Sequence, residues 1–205
     1  MNINIELKRI YNAYNNALEM LSYRGYETDK LINSSIELFN KRLDTEIFDK
    51  ITGNNEQQCF LIIMKNQKIT KKDFLSRLDT INKDNEGDDF LLLVLTFDKH
   101  LNSFIKLIQK KYSKDIQIFL IDELQMNILK HELQPDFILL SDDEKLDLIN
   151  KYDVTMDQLP KIKLTDPVTK YYNAKVGDIF KIIRKSMVGR NRTSGQGIYY
   201  RIVIE

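Results

Sequence analysis

The longest apolar run in the chain, Phe90-Leu91-Leu92-Leu93-Val94-Leu95, decides the class of fold. Such a run is too short to cross a membrane and has the length of a strand that is buried on both faces. Two similar runs lie at residues 59–64 and 116–121. Segments with helical periodicity, at residues 70–81 and 101–108, separate the three runs. This alternation of strand and helix predicts a small α/β layer with helices covering its sheet.

The segment before this layer has a helical pattern. Apolar side chains recur at steps of three and four over residues 3–24, which predicts a helix with one buried face. Gly25 follows at the position where a helix commonly ends. A weaker helical pattern covers residues 31–43, and residues 53–55 form a predicted turn.

The pattern changes after about Leu129. Ser141 and Glu144 have the spacing of a capping box, and Asp166-Pro167 predicts the start of a short helix. Residues 179–183 and 198–204 read as the strands of an antiparallel hairpin, joined by a long loop over residues 185–197. We therefore predict an α+β fold overall with two domains. Residues 1–129 form an α/β domain with a helix-flanked sheet, and residues 130–205 form a small α+β domain ending in an antiparallel hairpin.

Composition excludes several classes of protein. One cysteine in 205 residues leaves no disulfide framework and no cysteine-based zinc site. The first twenty residues lack the apolar core of a signal peptide, so we expect no secretory leader and a reducing compartment.

The balanced charge conceals a strong asymmetry. The whole chain has 31 basic and 30 acidic side chains. Residues 130–160 have 3 basic and 8 acidic side chains, net −5, whereas residues 161–205 have 10 and 3, net +7. The remaining residues have 18 and 19, net −1. The asymmetry fits either a solvated face with mutual neutralisation or a docking surface for a protein or a phosphate backbone.

Sequence signals of catalysis are weak. His100 and His131 lie in different segments without a partner at metal-ligand spacing, and Cys59 lies within an apolar run. Residues 189–197 resemble a phosphate-binding loop, but the pattern that follows them is a strand instead of a helix. The acidic residues 142–144 fit the first turn of a helix. The pattern alone indicates an interaction protein.

The last third of the chain carries short motifs in a characteristic order. They are His131-Glu132-Leu133, Gln158-Leu159-Pro160-Lys161-Ile162, Asp166-Pro167-Val168, Lys181-Ile182-Ile183-Arg184-Lys185-Ser186 and Tyr199-Tyr200-Arg201-Ile202-Val203. In order and spacing the series resembles the fifth subunit shared by eukaryotic nuclear RNA polymerases and its shorter archaeal counterpart. Residues 7–26 look like the first helix of the eukaryotic jaw domain, which archaeal members lack.

The resemblance implies a non-catalytic structural subunit of a multisubunit DNA-directed RNA polymerase. Residues 130–205 would be an assembly domain that docks on the largest subunit. Residues 1–129 would be a jaw domain that forms part of the lower jaw beside downstream duplex DNA. The implied partners are the other polymerase subunits and this DNA, with no cofactor, metal, small-molecule ligand or membrane.

The resemblance also suggests site residues. For contact with the largest subunit they are Gln158, Pro160, Ile162, Asp166, Pro167, Val168, Tyr171, Lys181, Arg184, Tyr199 and Arg201. For proximity to DNA they are Lys99, His100 and Lys106. Tyrosines at interfaces combine an apolar ring with a polar tip, but Tyr172 and Tyr200 fit the domain's own core equally well.

The chain departs from the family pattern in three places. Residues 187–193 are inserted in a hairpin that is tight in the family, Gln196-Gly197 replaces the expected arginine, and the middle of the jaw is shorter. These departures and the many Asn, Ile and Lys residues resemble the version carried by large cytoplasmic DNA viruses, such as African swine fever virus. A viral version would work in the host cytoplasm and the virion, and a cellular one in the nucleus.

Two other functions are compatible with the sequence. A stand-alone DNA-binding module or metal-dependent nuclease would need a cluster of Asp or Glu with Lys at strand ends, for which Asp73, Asp98 and Lys99 are the nearest residues. A free-standing transcription regulator could instead mimic the polymerase component and compete for its docking site.

Overall fold

A computed structural model describes residues 5–32, 34–43, 48–54, 57–64, 70–84, 90–101, 115–185 and 196–205. The chain divides into two compact units, Met1–Met126 and Asn127–Glu205. The boundary predicted from the sequence, between residues 129 and 130, lies slightly further along the chain. Each unit has its own four-stranded sheet, so the predicted α+β fold is confirmed.

The N-terminal unit contains three helices and a mixed sheet. Its elements are α1 (Ile5–Tyr23), α2 (Ile36–Leu43), β1 (Phe48–Thr52), β2 (Gln58–Met64), α3 (Lys71–Asp84), β3 (Phe90–Thr96) and β4 (Asp115–Leu120). The strand order is β1-β2-β3-β4. β1 is antiparallel to β2, and β2, β3 and β4 are parallel. A 3₁₀ turn, Lys99–Leu101, follows β3.

Helix α3 covers one face of this sheet. Phe60, Leu92 and Ile116 stand side by side in register on the three parallel strands. They form one buried cluster with Phe74 and Leu78 of α3. Both faces of β3 are buried, which explains why its sequence is uniformly apolar instead of alternating.

Helix α1 covers the opposite face. Asp49, Leu61, Leu93 and Gln117 are paired in register across the four strands and therefore share that face. The Tyr14 hydroxyl of α1 donates to Asp49 Oδ2 at 2.7 Å, and Arg24 Nη1 donates to Gln117 Oε1 at 3.0 Å. Because α1 contacts both edge strands, it spans the width of the sheet.

Most of the predicted elements of this unit are confirmed. The three buried strands and the helices α1 and α3 lie where periodicity placed them. The second helix begins at Ile36, five residues later than predicted, because a turn at Thr28 precedes it and accepts the amides of Leu31 and Ile32. Strand β1 was not predicted, since Asp49 and Lys50 interrupt its apolar pattern. Residues 102–108 of the helix predicted at residues 101–108 lie outside the described residues.

The C-terminal unit contains two helices and a second mixed sheet. Its elements are β5 (Asp136–Leu139), α4 (Asp142–Tyr152), β6 (Lys161–Lys163), α5 (Pro167–Tyr172), β7 (Ile179–Lys185) and β8 (Gln196–Ile204), with 3₁₀ turns at Ile128–Lys130 and Met156–Gln158. The strand order is β5-β7-β8-β6. β7 is antiparallel to β5 and β8, and β6 runs parallel to β8.

The two faces of this sheet carry separate apolar clusters. On one face, Ile179 and Ile202 pack with Leu148 of α4. On the other face, Phe180 and Val203 pack with Ala174, just after α5. Because side chains alternate between the two faces along β7 and β8, these strands contribute residues to both clusters and form the centre of the unit.

The predicted helix starts are confirmed in detail. Ser141 N donates to Glu144 Oε2 at 2.8 Å, and Glu144 N donates back to Ser141 Oγ at 3.3 Å. The bond from Ser141 N, together with one that the Ser141 hydroxyl donates to Glu144 Oε2 at 3.1 Å, lowers the pKa of the Glu144 carboxyl. Asp166 Oδ1 accepts from Val168 N at 2.9 Å, with Pro167 at the first helical position. Both α4 and α5 end at a residue in the left-handed region, Asp153 and Asn173 respectively.

The hairpin is confirmed, but its strands are longer than the sequence indicated. Arg184 pairs with Gly197 and Lys185 with Gln196, so the connection is confined to residues 186–195, which lie outside the described residues. Strands β5 and β6 were not predicted. Each has at most four residues, too few to show a strand period.

No helix in the described part of the chain is both long and apolar enough to cross a membrane.

We predict that Ser141→Ala lowers the free energy of unfolding of the C-terminal unit by about 1 kcal/mol, because the first turn of α4 loses its side-chain acceptor. Thr165→Ala, at an exposed position in the turn before α5, is the matched control and should change stability much less. Urea denaturation followed by circular dichroism measures both. Equal effects of the two substitutions would contradict a stabilising capping box.

We predict that Cys59 resists alkylation in the folded protein. The side chain is fully buried, and burial raises the pKa of its thiol to about 12, so almost no thiolate exists at pH 8. Iodoacetamide should therefore label this single cysteine only as urea unfolds the N-terminal unit. Labelling of the native protein at the rate of an unfolded control would show that the strand is not packed as described.

Candidate functional site

A groove of about 500 Å³ lies in the C-terminal unit. Five of the residues that the resemblance suggested for partner contact line it: Gln158, Pro160, Arg184, Tyr199 and Arg201. They come from the 3₁₀ turn before β6 and from the hairpin β7–β8, three segments that are separated in sequence. The fold therefore joins motifs that the sequence shows only as a series.

The floor and walls of the groove are largely apolar. Leu148 and Tyr152 of α4, Val154 and Ile198 contribute to the lining. Ile198 is about half exposed, at 52%, although it lies in a strand. Both charged residues of the described lining are arginines, and none is acidic. Such a surface favours a partner with apolar side chains next to carboxylates.

Tyr199 is held in a defined position at the groove. The Arg184 guanidinium lies over its ring, 5.4 Å from the centroid, on the neighbouring strand. Gly197, two residues earlier on the same face, gives the ring its space, because a Cβ there would lie 2.9 Å from Tyr199 Cε2. The ring is nevertheless 53% exposed. An ordered, exposed aromatic side chain beside an arginine is a typical anchor of a protein interface.

Two further tyrosines, Tyr152 and Tyr200, also line the groove. The rings of Tyr152 and Tyr200 lie 6.0 Å apart at their centroids. The pKa of the Tyr200 hydroxyl is raised, mainly by partial burial and to a smaller extent by the neighbouring Tyr152. Tyr200 also packs against the cluster around Ile179, so its side chain belongs to both the core and the groove.

Tyr172 has a role inside its own unit. Its hydroxyl donates to the carbonyl oxygen of Phe137 at 2.6 Å, and its ring packs edge-on against Phe180. The alternative of core packing, left open by the sequence, therefore describes Tyr172.

The other suggested contact residues are not part of the groove lining. Ile162, Val168 and Tyr171 are buried within the unit, where Tyr171 accepts from Asn127 Nδ2 at 3.1 Å. Asp166 and Pro167 form the start of α5. Lys181 lies on β7 next to Tyr200 of β8. A direct role of these six residues in partner binding stays a prediction, and their observed contacts shape the unit itself.

The DNA-side residues lie in the N-terminal unit. Lys99 and His100 are exposed on the 3₁₀ turn after β3, and Lys106 lies outside the described residues. Asp98 fixes this turn, since its Oδ1 accepts from His100 N at 2.9 Å and its own amide donates to Thr96 Oγ1. Asp98 is thus a buried structural carboxylate.

The described residues do not support the nuclease alternative. Within them, no three His, Cys, Asp or Glu side chains are grouped as a metal site would require. The Asp73 side chain is outside the described part of the chain.

Sequence reasoning missed several lining residues. Leu148 and Tyr152 carried only the signal of an apolar helix face, and Ile198 that of a strand. The spacing Gly197-x-Tyr199 was a usable signal, because residues two apart on a strand share a face and a glycine leaves space for the ring beside it.

Comparison with known proteins identifies the family. Residues 126–203 match the family model of the RNA polymerase Rpb5 C-terminal domain. The chain is similar to DNA-directed RNA polymerase V subunit 5A of Arabidopsis thaliana, with 30% identity over 86% of this chain and 82% of the relative. It is 27% identical to subunit RPABC1 of RNA polymerases I, II and III from Caenorhabditis briggsae, over 98% of both chains.

An archaeal relative matches a shorter stretch of the chain. Polymerase subunit Rpo5 of Pyrococcus abyssi is 47% identical over 81 residues, which are 40% of this chain and 93% of the relative. The two eukaryotic relatives thus match 86% and 98% of the chain, and this archaeal relative matches a segment about the size of the C-terminal unit. The resemblance stated from the sequence motifs is confirmed: the chain belongs to the RNA polymerase Rpb5 family, whose members are subunits of DNA-directed RNA polymerases and not enzymes by themselves.

Proposed function

We propose that this chain is a structural subunit of a multisubunit DNA-directed RNA polymerase and docks on the largest subunit through the groove of its C-terminal unit. The observation that carries this proposal is the convergence of Arg184, Tyr199 and Arg201 on one exposed apolar groove in a member of a polymerase-subunit family. Exposed tyrosine and arginine on an apolar floor are the side chains that contribute most to protein interfaces.

The N-terminal unit is proposed to form part of the lower jaw near downstream DNA. Lys99 and His100 are exposed on one turn and offer a cation and a polar ring for phosphate contact. The surrounding chain is close to neutral, so the unit would touch DNA held by the rest of the polymerase and would not bind it tightly on its own.

The source is proposed to be a large cytoplasmic DNA virus. Support comes from the abundant Asn, Ile and Lys residues, from the residues 187–193 inserted in the hairpin and from modest identity to cellular relatives. The protein would then act in the host cytoplasm and be packaged in the virion.

A tagged form of the chain tests the structural role. Expressed where its polymerase is made, it should purify with the largest subunit at equal stoichiometry, and removing it should reduce assembled polymerase. The chain alone should neither transcribe nor cleave DNA. Recovery of the tagged chain without polymerase subunits would refute the proposal, and recovery only with free largest subunit would favour the competing regulator.

A substitution at Gly197 tests the groove. Gly197→Ala should displace the Tyr199 ring and lower the affinity for the largest subunit by roughly fivefold to tenfold, about 1 kcal/mol, because the anchor loses its position. Stability should be nearly unchanged, since the clash is with a side chain that can move.

A double-mutant cycle provides the control. In a Tyr199→Ala background, the Gly197→Ala substitution should have little further effect on affinity, because its consequence is transmitted through the ring. Binding of purified largest subunit, measured by biolayer interferometry, gives all four affinities. Fully additive effects would contradict the proposed role of Gly197.

A further inference from the structure

The outer side of β8 is paired with β6 along only part of the strand. In a strand, the N–H and C=O of one residue point to the same side, and successive residues alternate. Ile202 N donates to the Pro160 carbonyl at 2.8 Å and Leu164 N donates to the Ile204 carbonyl at 2.7 Å, so residues 202 and 204 face β6. Val203 N donates to the Asp178 carbonyl at 2.8 Å, on the side of β7. By this alternation, Ile198 and Tyr200 face the same way as Ile202.

Strand β6 ends before it reaches these two residues. Its pairing with β8 begins at Lys161 opposite Ile202. The next residue towards Tyr200 is Pro160, which has no N–H to give to the Tyr200 carbonyl. Among the described residues, no backbone group pairs with the outward N–H and C=O of Ile198 and Tyr200. Within the described part of the chain, β8 therefore has a short open edge in line with β6.

At the other edge of the same sheet, on β5, an outward-facing backbone carbonyl has a hydrogen-bond partner. The outward carbonyl of Phe137 on β5 accepts the Tyr172 hydroxyl at 2.6 Å, so a side chain satisfies it. An unpaired edge readily accepts an extended segment of another chain, which is one of the common ways in which sheets bind partners.

The groove residues indicate what the added segment would carry. Tyr199 and Arg201 lie on one face of the sheet, together with Arg184 of β7, and no acidic side chain is found among the described residues that line the groove. Ile198 and Tyr200 lie on the other face, on the side of Leu148 in α4. A strand placed beside them would present alternate side chains to these two faces. Charge complementarity selects acidic side chains for the first face and apolar ones for the second.

We propose that the largest polymerase subunit adds an extended segment with alternating acidic and apolar residues to β8, beside Ile198 and Tyr200 and in line with β6. This inference rests on the proposed docking function and specifies its chemistry. Main-chain hydrogen bonds to the two residues fix the register, and Arg184 and Arg201 select the acidic side chains.

Residue-resolved hydrogen exchange of the full chain, alone and bound to the largest subunit, tests the proposal. In the free chain, the amides of Tyr199 and Arg201 should be protected by β7, whereas those of Ile198 and Tyr200 exchange faster. Binding should slow exchange at Ile198 and Tyr200 by roughly tenfold or more and leave the relative order of their neighbours unchanged.

Two variant pairs provide matched controls. Ile198→Pro removes the outward donor and keeps the bonds to β7, so it should weaken binding at least roughly tenfold, whereas Ile198→Ala keeps the donor and should cost about threefold. Arg184→Glu should weaken binding by a similar factor, and Lys163→Glu, exposed at the far end of β6, should not. If circular dichroism shows that Ile198→Pro is unfolded, the comparison of Arg184→Glu with Lys163→Glu and the exchange data test the proposal instead.

The outcomes separate this inference from the docking function itself. If the complex forms but Ile198 and Tyr200 exchange as in the free chain, strand addition is refuted and docking stands. If no complex with the largest subunit forms, both fail. A dimer of the free chain in which the same amides are protected would show that a second copy occupies the edge, which also overturns the proposal.

Discussion

The antiparallel pairing of β7 with β8 is the constraint on which the C-terminal unit depends. It runs without interruption from Ile179 opposite Ile202 to Lys185 opposite Gln196. Side-chain alternation along the two strands supplies both apolar clusters, and β5 and β6 attach to the outer sides of this pair. The same pairing brings Arg184 next to the Tyr199 ring. Folding and the exposed surface therefore follow from one set of backbone hydrogen bonds.

Pro160 links this framework to the proposed binding role. Its carbonyl accepts from Ile202 and so extends the contact of β6 with β8, but its nitrogen cannot donate to Tyr200. A single residue thereby ends one pairing and leaves an edge open, next to a groove whose charged side chains are arginines. An open strand edge beside exposed tyrosines favours association with another chain, so this surface is suited to binding a partner.

The fold was predictable from the sequence wherever a local rule dominates. Uniform apolar runs placed β2, β3 and β4, and the Ser141–Glu144 spacing placed the start of α4. The short strands β5 and β6 were not predictable, because tertiary pairing with β7 and β8 defines them and not their own pattern. The motifs supplied five groove residues, but the burial of Ile162, Val168 and Tyr171 depends on packing that the sequence does not display.

The most direct measurement of the central claim is site-specific crosslinking in the assembled polymerase. A photoreactive amino acid would replace Tyr199, whose ring is exposed at the groove and held beside Arg184. We expect one dominant crosslink, to an extended segment of the largest subunit in which acidic and apolar residues alternate. Crosslinks to another polymerase component, or none above the level of the same amino acid placed at exposed Lys163, would contradict it.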